Sequence, residues 1–220
     1  MKVFIGVGHG GSDPGAVSWN VKEKEPNLSI ALACRDELVR HGVEVKMSRE
    51  KDEDDPLSEE IRECNAYGPD LAVDIHNNAG GGDGAEVFYH YGGGKSKVLA
   101  ENVLEEIVKV GQNSRGAKIR KNAAGKDYYG FIRETSCPAV IVECAFVDNA
   151  TDRRILATED NRRAIGVAIA KGVLKSMGVA YQSERGYWKV QVGAYLYREN
   201  AEALQKKIKA VGFDAFIVKE

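Results

Sequence analysis

Short apolar runs of strand length alternate along the 220-residue chain with segments of helical period, and this alternation constrains the fold more than any other feature. The strand-like runs are Lys2-Val7, Val43-Met47, Leu71-Ile75, Ala85-His90, Tyr129-Ile132 and Ala139-Val142. Helices are predicted between them at Pro26-Arg40, Leu57-Tyr67, Ser96-Gln112 and Asn161-Met177. The first gathers Leu28, Ala31, Leu32, Leu38 and Val39 on one face, and the last gathers Ile165, Ala168, Ile169, Val173 and Met177. The expected class is therefore α/β: a single twisted, mostly parallel (mixed) sheet with helices on both faces. A hydrophobic content of 43% is enough to fill its core, and the 24 glycines suit tight turns between strands and helices.

The polar stretch Gln182-Ser183-Glu184-Arg185-Gly186 separates the last long helix from a fresh pattern. Residues 1-178 are expected to form the main domain, 179-186 a linker, and 187-220 a small βαβ unit. In that unit Trp188, Val190 and Val192 alternate as a strand, Ala201, Leu204, Ile208 and Val211 recur as a helix, and Phe213-Val218 reads as a second strand. A piece this short falls below the roughly 40 residues at which lone domains usually need disulfides, metals or oligomerisation, and it has no cysteine. Trp188, Val190, Val192, Phe213 and Ile217 would form an uncovered apolar face, so a homodimer through residues 187-220 is expected.

Several classes are disfavoured. With 31 Lys and Arg against 33 Asp and Glu, no electrostatic feature points to nucleic acid. The apolar run Val3-Gly8 stops at His9, too short for a signal-peptide core or a membrane span. Cys34, Cys64, Cys137 and Cys144 include no CxxC pair and read as reduced, mostly buried thiols. Gly6, Gly8 and Gly11 match a dinucleotide fingerprint in spacing, but a loop follows where the fingerprint needs a helix. Gly92-Gly93-Gly94-Lys95-Ser96 imitates a phosphate loop, yet Tyr89 stands where its first glycine belongs. The acidic run Glu50-Asp55 reads as a solvated loop.

The strand order singles out four residues. His9 follows the first strand, His76 follows Leu71-Ile75, and Glu143 ends Ala139-Val142. Ligands of open α/β sheets bind at the carboxyl ends of strands, so these three can converge. Glu23, just before the first helix, is close enough along the chain to fold over the same edge. Two imidazoles and a carboxylate with one open position form a common catalytic zinc arrangement. Each residue alone has a structural explanation, Glu23 as a helix-start acid for example. Glu143 is the hardest to explain that way, because apolar residues flank it on both sides, and it is the natural choice for general acid and base work.

Over residues 2-177 the chain resembles the zinc-dependent N-acetylmuramoyl-L-alanine amidases of the type-3 class, which cut the amide between the muramyl lactyl group and the stem peptide. The likeness is carried by Gly8-His9-Gly10-Gly11-Ser12-Asp13-Pro14-Gly15-Ala16, Glu23-Lys24-Glu25-Pro26-Asn27-Leu28, Val73-Asp74-Ile75-His76-Asn77-Asn78-Ala79 and Pro138-Ala139-Val140-Ile141-Val142-Glu143. It implies that His9, Glu23 and His76 bind Zn2+ and that Glu143 is the catalytic glutamate. Asp74 departs from the resemblance, standing where a serine is common. Tyr187-Tyr195 and Asn200-Leu204 resemble part of a sporulation-related (SPOR) repeat, which implies binding to glycan strands. The expected partner is thus peptidoglycan, cut by an endolysin or autolysin without a visible signal peptide. The rival activities are a zinc peptidase acting within the stem peptide and a non-catalytic wall-binding module.

Overall fold

The structure is a computed structural model that describes residues 1-183, 191-213 and 215-218. It divides into two compact units, Met1-Gln182 and Ser183-Glu220. In the first, strands β1 (Lys2-Val7), β4 (Glu44-Met47), β5 (Leu71-Asn78), β6 (Ala85-Tyr89), β7 (Ser114-Lys118) and β8 (Ala139-Phe146) form one sheet of order β4-β1-β5-β8-β6-β7. All neighbouring pairs are parallel except β6 with β8, so the sheet is mixed, as the alternation predicts.

Strand alternation sorts the side chains into two cores. Val3, Ile5, Val7, Val73, Ile75, Val140 and Val142 face one way, where they pack with α1 (Lys24-Arg40), α3 (Lys95-Lys109) and α6 (Glu159-Ser176). Phe4, Ala72, Ala139 and Ile141 face the other way, against α2 (Leu57-Tyr67) and α4 (Gly130-Glu134). Asp74, His76 and Glu143 have the same parity as Ala72 and Ile141, which puts them on the α2/α4 face at the carboxyl ends of the two central strands.

Several elements differ from the sequence expectation. Tyr129-Ile132 is not a strand: Tyr129 caps the short helix α4, and Phe131 and Ile132 bury themselves from one helical turn. An apolar run of four cannot by itself distinguish the two. β5 and β8 run further than predicted, through Asn78 and Phe146, so His76 and Glu143 lie inside strands and are direct partners in the parallel ladder. Three elements were not anticipated: the polar edge strand β7, the hairpin β2 (Val17-Ser18) and β3 (Val21-Lys22), and the helix α5 (Ala150-Leu156). In the second unit the predicted helix forms as α7 (Arg198-Ala210), while the described residues around it, 191-197, 211-213 and 215-218, lie outside strands. Val192, Phe213 and Ile217 are exposed; Trp188 and Val190 lie outside the described residues.

Candidate metal centre

Glu23 is the hub of the site. It is buried at the start of α1, and three N-H groups converge on its carboxylate. Asn77 N (3.1 Å) and Asn27 Nδ2 (3.2 Å) donate to Oε1, and Ala16 N (3.0 Å) donates to Oε2. On its open side stand two rings, with His9 Nε2 3.2 Å from Oε2 and His76 Nδ1 3.2 Å from Oε1. The rings meet edge to face at 5.2 Å between centroids. One ligand atom from each of the three residues lies within 4.8 Å of the others.

Each imidazole is oriented from behind. His9 Nδ1 is 2.8 Å from Asp13 Oδ2, and His76 Nε2 is 3.2 Å from Asp74 Oδ2. A carboxylate that takes the outer N-H fixes the tautomer and turns the inner nitrogen's lone pair toward the cluster. Asp74, the departure from the family pattern, is thus a direct support of His76.

The loop that carries His9 is under strain. His9 has φ 62°, in the left-handed region that non-glycine residues seldom occupy. Gly8 before it lies so close to His76 that a Cβ would fall 2.2 Å from the ring's Cε1, so only glycine fits. The acidic run also does more than face solvent. Asp52 accepts from Gly11 N (2.8 Å) and from the Lys24 ammonium (2.7 Å), and Asp54 accepts from Ser12 N (2.7 Å), tying this loop down.

Arg49 is the largest fully buried side chain among the described residues, and the sequence reading did not single it out. Its guanidinium donates to four carbonyls: Val7 (3.1 Å), Gly8 (3.2 Å), Lys24 (3.0 Å) and Lys51 (3.1 Å). It thereby ties the end of β1, the first turn of α1 and the acidic loop together behind the cluster. No local pattern could reveal it, since three of its four acceptors are backbone atoms of two distant segments. Arg49→Met keeps the bulk but strands the Val7 and Lys24 carbonyls at roughly 1-3 kcal/mol each, while Gly8 O keeps its bond from Asn27 Nδ2. The expected loss is about 3-5 kcal/mol of stability, read as a lower urea midpoint.

Glu143 stands beside the cluster, directly across the ladder from His76. Its Oε2 is buried without a hydrogen-bond partner. Burial pushes its pKa up to about 7; His76 opposes the rise, and the carboxylates of Glu23, Asp74 and Glu86 reinforce it. Across β6, Glu86 is held by Asn78, Arg115 and Lys118, so β7 supplies the cations that keep this second carboxylate charged.

The donor set fits a metal ion. Burial works to raise the pKa of Glu23, but His76 and His9 outweigh it and hold the carboxylate well below its ordinary range. Burial likewise opposes charge on His76, yet Asp74 and Glu23 hold its pKa well above the usual value; the Glu23 hydrogen bond also raises that of His9. A buried carboxylate between two imidazoles thus demands positive charge, which protons on the rings or one cation among the three ligand atoms can satisfy. A cleft of about 610 Å³ opens from His9 and His76 toward Leu57, Glu60 and Tyr129. His41 and His90 take no part: His41 caps the end of α1, and His90 lies 3.1 Å from Asp127.

A mixed α/β sheet with two imidazoles and two carboxylates gathered at its strand ends has the architecture of a metal-dependent hydrolase. The chain belongs to the N-acetylmuramoyl-L-alanine amidase family, whose profile matches residues 3-175; a SPOR domain profile matches residues 163-219. It is 33% identical to the N-acetylmuramoyl-L-alanine amidase CwlM of Bacillus licheniformis over 99% of this chain and 85% of that protein. It is 32% identical to the sporulation-specific N-acetylmuramoyl-L-alanine amidase of Bacillus subtilis over 99% of this chain and 84% of that protein. The catalytic domain of CwlV, the amidase from Bacillus (Paenibacillus) polymyxa var. colistinus, superposes with a TM-score of 0.73 at 28% identity, covering 81% of this chain and 99% of that domain. The chain is accordingly an enzyme that hydrolyses the amide between the lactyl group of N-acetylmuramic acid and L-alanine, its substrate is peptidoglycan, and its family is generally zinc-dependent. Among the described residues no helix is long and apolar enough to cross a membrane.

Proposed function

We propose that His9, Glu23 and His76 hold the catalytic Zn2+ and that Glu143 is the general base and acid of the amidase reaction. The observation that carries this reading is the cluster of three ligand atoms within 4.8 Å, beside a carboxyl group whose free oxygen is buried without a partner. A zinc ion in such a site supplies Lewis acidity, polarising a carbonyl oxygen and making water a stronger acid. Asp13 and Asp74 keep the two imidazoles turned inward, and Asn27, Asn77 and Ala16 keep the Glu23 carboxylate from swinging away. Glu143 accepts the proton of the attacking water. It then delivers that proton to the stem-peptide nitrogen, which cannot leave as an amide anion. A carboxyl group with a pKa near 7 suits both halves of this exchange at neutral pH. Metal analysis of the purified protein together with identification of its muropeptide products tests the reading. About one zinc per chain, a free lactyl carboxylate and a new L-alanine N-terminus are expected. Two peptide fragments cut within the stem would replace the amidase by a peptidase.

The division of labour we propose is a catalytic domain at 1-178, a linker at 179-186 and a glycan-binding unit at 187-220, acting on the cell wall as an endolysin or autolysin. The SPOR match supports the binding unit, although its matched range begins inside α6, whose Ile165 and Ile169 are buried in the first unit's core. The homodimer through 187-220 is also a proposal. α7 buries none of its residues, and Val192, Phe213, Phe216 and Ile217 stand exposed. Light scattering is expected to give a dimer for the full chain and a monomer for a version ending at Gly178; a monomeric full chain would end this idea.

A further inference from the structure

The hairpin β2-β3 grows directly out of the metal cluster. Its base is closed by Glu23 N donating to Ala16 O (3.0 Å), and its tip is the pair Trp19-Asn20. Both tip residues have positive φ, 58° and 88°, the backbone of a two-residue hairpin turn in which Asn and Gly are favoured. Tryptophan is out of place there, because a bulky residue with positive φ is strained. It gains little from burial either, since Trp19 is 67% exposed. What holds the indole is Arg153 of α5, whose guanidinium lies 4.3 Å from the ring centroid. Arg153 Nη1 is buried without a hydrogen-bond partner, so the indole is the contact that the guanidinium offers its charge to. One face of the indole is thus backed by a cation while most of the ring stays open to solvent. Strain retained at a mostly exposed position, with a single cation as its support, is the kind of outlier from which function is inferred.

Position suggests what the ring meets. Trp19 is four residues from Glu23 along an extended chain, hence at most about 14 Å from it. Its support, α5, packs through Leu156 into the α1/α6 core. The cleft, by contrast, leads from His9 and His76 toward Leu57 of α2 and Phe131 of α4, on the opposite face of the sheet. The substrate's scissile amide joins a glycan to a peptide, so a substrate lying across the cluster extends in both directions. The cleft carries Asp13, Asp54 and Asp55, polar groups suited to a peptide bearing amines and amides. The hairpin offers instead a flat aromatic face, the surface on which the C-H groups of a pyranose ring pack.

We propose that Trp19 is a substrate-binding residue whose indole stacks on an N-acetylhexosamine ring of the glycan adjoining the cleaved amide, with Arg153 bracing the ring from behind. The proposal rests on the amidase reading of the cluster. Its test is steady-state hydrolysis of soluble peptidoglycan fragments by the full-length, zinc-loaded chain, comparing wild type with Trp19→Gly and Trp19→Phe. Glycine suits the positive φ, so Trp19→Gly should fold with a thermal midpoint no lower than wild type and with its zinc retained. Its KM is expected to rise about five- to tenfold while kcat stays within about threefold, and Trp19→Phe should recover part of the affinity. An unchanged KM in Trp19→Gly overturns the proposal. So does a fall in thermal midpoint, zinc content and kcat together, which would make the ring a brace for Glu23. If wild type released no new L-alanine N-terminus, the amidase reading would fail and this proposal with it; an active wild type beside an unaffected Trp19→Gly defeats the proposal alone.

Discussion

Glu143→Gln is expected to lower kcat by about 10² to 10⁴-fold while the protein keeps its fold and its zinc. The amide has the shape of the carboxylate, so β8 and the ladder partnership with His76 persist. It also relieves a local difficulty, because burial and three neighbouring carboxylates already disfavour negative charge at this position. The variant should therefore be at least as stable as the parent at pH 8, where the carboxyl group of the parent is ionised. What it lacks is an oxygen basic enough to take a proton from water. Stopped-time product assays on purified cell walls, with zinc analysis of the same preparation, check the expectation. Turnover at the parent rate would reassign Glu143 to a structural role.

His76→Ala is expected to abolish lysis by removing the metal. Loss of a group that only supports a ligand costs about 10- to 100-fold in metal affinity, and loss of a ligand should cost more than that. Zinc should then be lost on dialysis against a weak chelator that leaves wild type loaded. The pH dependence follows from the same residues. Only a neutral imidazole can ligate, and His9 and His76 both have pKa values raised above 6.5 by the carboxylates around them. Protons should therefore begin to displace zinc at a higher pH than they would for free imidazole, with apparent affinity falling steadily as pH drops. Chelator competition from pH 8 to 5 measures this. Full zinc occupancy in His76→Ala, or a pH-independent affinity, would remove His76 from the metal centre.

The chain's alternating pattern was enough to read the α/β class, the four central helices and the two middle strands, because a half-buried helix and a buried strand impose periods that survive in any context. The resemblance named the same four site residues, and three of them were already suggested by their place at strand ends. The pattern failed where burial, rather than periodicity, decides the element. Phe131 and Ile132 could serve a strand or a single helical turn, and the second core chose the turn. Charged β7 carries no apolar alternation, since as an edge strand it needs none, and its Arg115 and Lys118 instead neutralise Glu86.

Sequence by itself therefore determined the layered α/β class and the amidase family, and it offered His9, Glu23, His76 and Glu143 as the candidate site residues through their motifs and their places along the chain. Tertiary structure alone decided how those groups are held and tuned. Arg49 binds carbonyls from three segments, Asp74 became a support for His76 through the parity of β5, Glu143 acquired its raised pKa from burial among other carboxylates, and Trp19 met Arg153 across more than a hundred residues. Most of these contacts join residues distant in the chain, and even the close pair Asp74 and His76 depends on the strand that turns both side chains to one face; hydrogen bonding and desolvation act through space, where a linear pattern leaves little trace.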